Sequence, residues 1–119
     1  MSVTIDLDEQ PVFWTLRVVG DLDHAALCSF RITIDRILAR APTAVIADLS
    51  GVEYLDSSAL GLLLVLYKEY VGTDQALVLV TNQAVETILS VTQLSGVLAT
   101  APDMETALEM LDVGPPHSR

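Results

Sequence analysis

The stretch Val52-Glu53-Tyr54-Leu55-Asp56-Ser57-Ser58-Ala59-Leu60-Gly61, continued by Leu62-Leu63-Leu64-Val65-Leu66, divides a buried-looking strand from a strongly apolar helix. Asp and Ser are favoured where a helix begins, because their oxygens accept hydrogen bonds from the free N–H groups of the first turn. A helix N-terminus also tolerates added negative charge, phosphate included. Asp56 is therefore read as a cap and surface contact, and the hydroxyls of Ser57 and Ser58 as candidates for modification as well as capping.

Upstream, Ala44-Val45-Ile46-Ala47-Asp48-Leu49 is a nearly continuous apolar run, as expected of a central strand covered on both faces. Pro42 closes a helix from His24 to about Arg40, in which Leu27, Phe30, Ile34, Ile37 and Leu38 recur at helical spacing and Asp23 is the expected N-cap. Before it, Val3 to Leu7 alternates and Val12 to Val19 forms a second strand, a hairpin ended by Gly20-Asp21-Leu22-Asp23.

Downstream, the helix after Asp56 runs to about Val71, with Gly72 as terminator. Ala76 to Val80 is a further buried strand. Asn82 caps a helix through Val85, Ile88, Leu89 and Leu94 that Gly96 ends. Val97 to Thr100 reads as a short last strand, and Pro102-Asp103 opens a final helix carrying Met104, Ala107, Leu108 and Leu111. The fold class is α/β: a mixed sheet of about five strands, an N-terminal antiparallel pair followed by parallel strands, flanked by about four helices.

A chain of 119 residues with 51% hydrophobic content fits one domain with an ample core, expected over residues 1–113, with Gly114–Arg119 as a loose tail. Sixteen acidic residues against six basic ones give a net charge of -10, which argues against nucleic acid or an anionic membrane and favours a partner with a basic or neutral face. Cys28 is the only cysteine, so no internal disulfide is possible, and no Cys or His cluster has zinc-site spacing. No metal or cofactor is expected. There is no signal-peptide pattern, and Leu60 to Leu66 is too short to span a bilayer; a soluble, cytoplasmic protein is expected. The oligomeric state stays open. Cys28 is read as a small apolar filler, His24 as a surface residue, and Phe13 and Trp14 as facing opposite sides of one strand.

Asp56-Ser57-Ser58-Ala59-Leu60-Gly61 resembles the phosphoacceptor motif of bacterial anti-sigma factor antagonists, members of the sulphate-transporter-and-anti-sigma-antagonist (STAS) domain family. Gly20-Asp21-Leu22-Asp23 is similar to that family's Gly-Glu-Leu-Asp turn, at compatible spacing, and the resemblance spans essentially the whole chain. It implies a non-catalytic switch. The unmodified antagonist binds an anti-sigma factor that is also a serine kinase, and thereby frees a sigma factor; phosphorylation ends the binding, and a serine phosphatase is a further implied partner. Carried over by residue, Ser57 is the acceptor. Asp21, Asp23, Asp56, Ser57, Ser58, Ala59, Leu60 and Gly61 form the implied partner surface. Ala59 departs from the family, where many members have Gly; Ala favours helix and avoids positive φ, so the helix start should be stiffer.

Rival readings are weaker. An enzyme would use Ser57 or Ser58 as nucleophile, but a Gly-x-Ser-x-Gly elbow is missing and only His24 or His117 could serve as base. A phosphate-receiver domain would need an acidic pair after its first parallel strand, where Ile46-Ala47-Asp48-Leu49-Ser50 offers one carboxylate. The remaining alternative is a STAS module without a phosphoswitch, acting as a stress-signalling scaffold component or a small subunit of a lipid transporter.

Overall fold

Val3, Ile5 and Leu7 are half-buried while Thr4, Asp6 and Asp8 are exposed, the two-residue period of a strand with one solvated face. A computed structural model of the chain describes residues 3–111, so the tail expected at Gly114–Arg119, with His117, lies outside the described residues. The alternating stretch is β1 (Val3–Glu9), which pairs antiparallel with β2 (Trp14–Leu22), from Val3 opposite Gly20 to Glu9 opposite Trp14. β2 then pairs in parallel with β3 (Ala44–Leu55), β3 with β4 (Ala76–Val80), and β4 with the short β5 (Thr100–Ala101). The sheet order is β1-β2-β3-β4-β5. It puts β3 in the centre and β1 at one edge.

The apolar run in β3 is buried without a break from Ala44 to Leu49, as a strand with both faces covered requires. Val45, Ala47 and Leu49 join Leu16, Val18, Phe30, Ile34, Ile37, Leu63 and Leu66 in the larger core cluster. Ile46 belongs to a smaller cluster with Val78, Val80, Ala101 and Ala107. The helices that contribute to the two clusters are α1 (Leu27–Arg40), α2 (Ser57–Tyr70), α3 (Gln83–Val91) and α4 (Met104–Met110). Among the described residues, five strands, antiparallel then parallel, and four helices match the architecture expected from the sequence.

Several boundaries differ from expectation, each for a local reason. β3 runs to Leu55 rather than stopping at Leu49, and β2 runs to Leu22 rather than Val19. Asp48, Ser50 and Gly51 look like strand breakers, yet Asp48 is buried in the strand because its charge is partnered. Arg17 Nε donates to its Oδ2 at 3.2 Å, and Ser50 N–H and Oγ donate to its Oδ1 at 3.1 and 2.7 Å. α1 stops at Ala41, whose backbone turns left-handed (φ 48°) while its N–H still bonds the Ile37 carbonyl. Pro42 disfavours the right-handed helical conformation at the residue before it. α3 ends at Val91 instead of reaching Leu94; Gln93 takes φ 65° and the Leu94 N–H closes on the Leu89 carbonyl at 2.7 Å. The last strand is Thr100–Ala101, not Val97–Thr100. Cys28 is exposed rather than an apolar filler, because at 100° per residue it falls opposite the Phe30–Ile34–Ile37 stripe. Phe13 packs on the smaller cluster and Trp14 on the larger, both half-buried.

Leu63 and Leu66 are 1% and 0% exposed. Leu63→Ala and Leu66→Ala should each lower unfolding free energy by about 2–5 kcal/mol, and Val65→Ala on the exposed face by about 0.5 or less, in denaturant titrations. Tyr70 closes the same helix. Its hydroxyl donates to the Pro42 carbonyl at 2.8 Å, and burial pushes its pKa up from 10.0 to about 12. The folded state keeps a proton that the unfolded chain releases, so this contribution is complete below pH 10 and is lost as pH rises towards about 12. Stability measured against pH should therefore show an alkaline decline in the wild type that is absent in Tyr70→Phe.

Candidate partner-binding site

Parallel pairing brings the carboxyl ends of β2 and β3 side by side, with Asp21 opposite Tyr54 and Leu22 opposite Leu55. The register shifts between Gly20 and Asp21, and Gly20 sits at φ 110°, a conformation open to a residue without a Cβ. The strand end is bent there. One residue beyond the pairing, the Asp56 N–H donates to the Leu22 carbonyl at 3.1 Å, so the start of α2 is tied to the end of β2.

Both acidic residues expected as caps serve as caps. Asp23 Oδ1 accepts from Ala25 N–H at 3.1 Å and Ala26 N–H at 3.3 Å, in a single 3₁₀ turn (His24–Ala26) that leads into α1. Asp56 Oδ1 accepts from Ala59 N–H at 3.0 Å, and its carbonyl accepts from Leu60 N–H at 3.0 Å. Ser58, a candidate for capping in the sequence, is exposed, and the cap is Asp56 instead. Ser57 is the first residue of α2 and is exposed.

The structure divides the motif into two layers. Asp21, Asp23 and Asp56 are half-buried and Ser57 and Ser58 exposed, whereas Ala59 and Leu60 are 0% and 6% exposed and face the core. Their side chains anchor the helix start from below. Gly61 is half-buried within the helix, and a Cβ added to it would meet nothing within 4 Å. Tyr54, which the sequence reading passed over, is 50% exposed beside Asp21. The strand was expected to have ended before it, and exposure of both Glu53 and Tyr54 breaks the alternation that would have marked them.

β4 supports only the first part of β3, from Ala44 to Asp48. Beyond that, Asn82 takes its place: its Nδ2 donates to the carbonyls of Ser50 at 2.9 Å and Val52 at 2.7 Å, while its Oδ1 caps α3 at Val85 N–H, 2.8 Å away. Among the described residues no group of three or more His, Cys, Asp or Glu could hold a metal ion, and no helix is long and apolar enough to cross a membrane.

The family model described as the STAS domain matches residues 4–107, so the chain belongs to the STAS-domain family. It is 37% identical over 68 residues, 57% of its length, to a STAS-domain containing protein of Pseudomonas aeruginosa, and spans 65% of that relative. Among solved structures it resembles an anti-sigma factor antagonist from Mycobacterium paratuberculosis, with 25% identity, a TM-score of 0.85, and coverage of 93% of this chain and 95% of that one. It also shares the fold of the anti-sigma factor antagonist SpoIIAA, solved in its unphosphorylated form: 22% identity, TM-score 0.72, coverage 94% and 100%. The Bacillus SpoIIAA in its phosphorylated form gives 21%, 0.68, and 91% and 99%.

Two substitutions test the helix start. Asp56→Ala should cost about 1 kcal/mol by removing the cap. Gly61→Ala should add about 0.5–1 kcal/mol, since an open helical glycine gains from a methyl group that clashes with nothing. Urea or guanidinium unfolding of the three proteins reads both effects.

Proposed function

We propose that this chain is an anti-sigma factor antagonist. Its unphosphorylated form binds an anti-sigma factor with serine kinase activity and so releases a sigma factor; phosphorylation of Ser57 ends the binding, and a serine phosphatase restores it. The observation that carries this reading is the exposed Ser57 at the first position of a fourteen-residue helix, beside the Gly20–Asp23 turn. The likeness to antagonists of known structure, one of them solved with and without phosphate, supports it.

The physics of the switch follows from that position. A phosphoryl group brings about -1.5 to -2 charge, and the free N–H groups and dipole of a helix N-terminus receive it without unfolding the domain. An interface built around a neutral hydroxyl fares differently, because the phosphate must be desolvated within it. A carboxylate across the interface at 4 Å adds about 1–4 kcal/mol of repulsion, depending on effective dielectric, and each 1.4 kcal/mol is about tenfold in affinity. Asp21, Asp23 and Asp56, together with Ser57, Ser58 and Gly61, make the contact surface in this reading, with Ala59 and Leu60 holding it in place from the core.

Kinase assays and titration calorimetry test the reading on purified variants, with circular dichroism to verify folding. Ser57→Ala should resist phosphorylation and still bind the anti-sigma factor. Ser57→Asp should bind poorly while folded, and Ser58→Ala should be phosphorylated like the wild type. Asp21→Lys and Asp23→Lys should slow association with a basic-faced partner, most at low salt. Full phosphorylation of Ser57→Ala, or tight binding by the phosphorylated wild type, would replace the switch with the scaffold alternative.

A further inference from the structure

The second half of β3 is a strand with one neighbour. From Gly51 onward it pairs with β2, but β4 has ended at Val80, so the edge facing away from β2 lacks a ladder. Backbone groups on such an edge need other partners, and three of them have been found. The Ser50 N–H bonds the Asp48 carboxylate at 3.1 Å. The Ser50 and Val52 carbonyls both receive the amide of Asn82. One side chain thus does what the missing strand would have done, and does it from the first turn of α3, whose cap is the same residue.

The overhang closed in this way leads within four residues from Val52 to Asp56 and then to Ser57. We infer that Asn82 is a positioning residue for the Ser57 helix start: by clamping Ser50 and Val52 it fixes where the end of β3, and with it the Asp56–Leu22 tie, presents the serine. α3 and the acceptor are thereby coupled, so that displacement of α3 loosens the segment a partner or kinase must recognise. The role assigned to Ser57 in this inference rests on the proposed function. The clamp itself does not.

Capping and clamping can be separated by substitution, because Ser and Asp keep a cap oxygen while lacking the amide donor. In Asn82→Ser and Asn82→Asp, amide hydrogen exchange over Ser50–Asp56 should accelerate by about tenfold, with Val78–Val80 and the interior of α2 unchanged, since only a local opening becomes easier. Phosphorylation of Ser57 by the anti-sigma kinase should lose kcat/KM by a similar factor, mainly through KM. Unchanged exchange over Ser50–Asp56, or acceleration spread evenly over the whole sheet, would overturn the clamp. Accelerated exchange with unaltered phosphorylation kinetics would overturn the positioning role. A wild type that no kinase modifies would instead sink the proposed function, and the exchange data would still decide the clamp.

Discussion

β3 is twelve residues long and its neighbour β4 is five. This mismatch governs the end of the molecule that carries the proposed contact surface. A strand paired on both sides is fixed by its ladders; one that outruns a neighbour must find other acceptors and donors or fray. Here the overhang is held by β2 on one side and by an asparagine amide on the other, and it delivers α2 directly against the end of β2. Just before the overhang Asp48 is buried, a charge tolerated because Arg17 and Ser50 surround it.

The interleaving of buried and exposed residues in Asp56–Gly61 has a mechanical meaning. Ala59 and Leu60 tie the helix start to the larger core cluster, so the surface formed by Ser57 and Ser58 inherits the rigidity of the domain's interior. A binding surface ordered in advance loses little conformational entropy on association. In the proposed switch, a phosphate on Ser57 would change charge and solvation at a fixed place rather than reshape the fold.

Much of this was legible in the sequence where a single physical signal dominated. The unbroken Ala44–Leu49 run announced a central strand, and the helical spacing of Phe30, Ile34 and Ile37 announced α1. Asp23, Asp56 and Asn82 were legible as caps because the side-chain chemistry of a helix start is local. The continuation of β3 past Asp48 was not legible, since it rests on an ion pair to Arg17, thirty-one residues away. Tyr54 was missed with it. Asn82 showed only its local half: the cap is a contact with the following turn, whereas the clamp reaches back thirty and thirty-two residues. Cys28 is exposed because its angle on α1, and not its residue type, decides its burial.

The alternation of β1 has a further consequence for molecules at high concentration. β1 lies at the sheet's edge with Asp6 and Asp8 exposed on the outer face, and an unpaired edge is a template for another strand. A second copy aligning there antiparallel would bring carboxylates of one chain opposite those of the other, at cross-strand distances where like charges repel. Exposed Asp6 and Asp8 on this strand therefore disfavour pairing of the edge with a second copy.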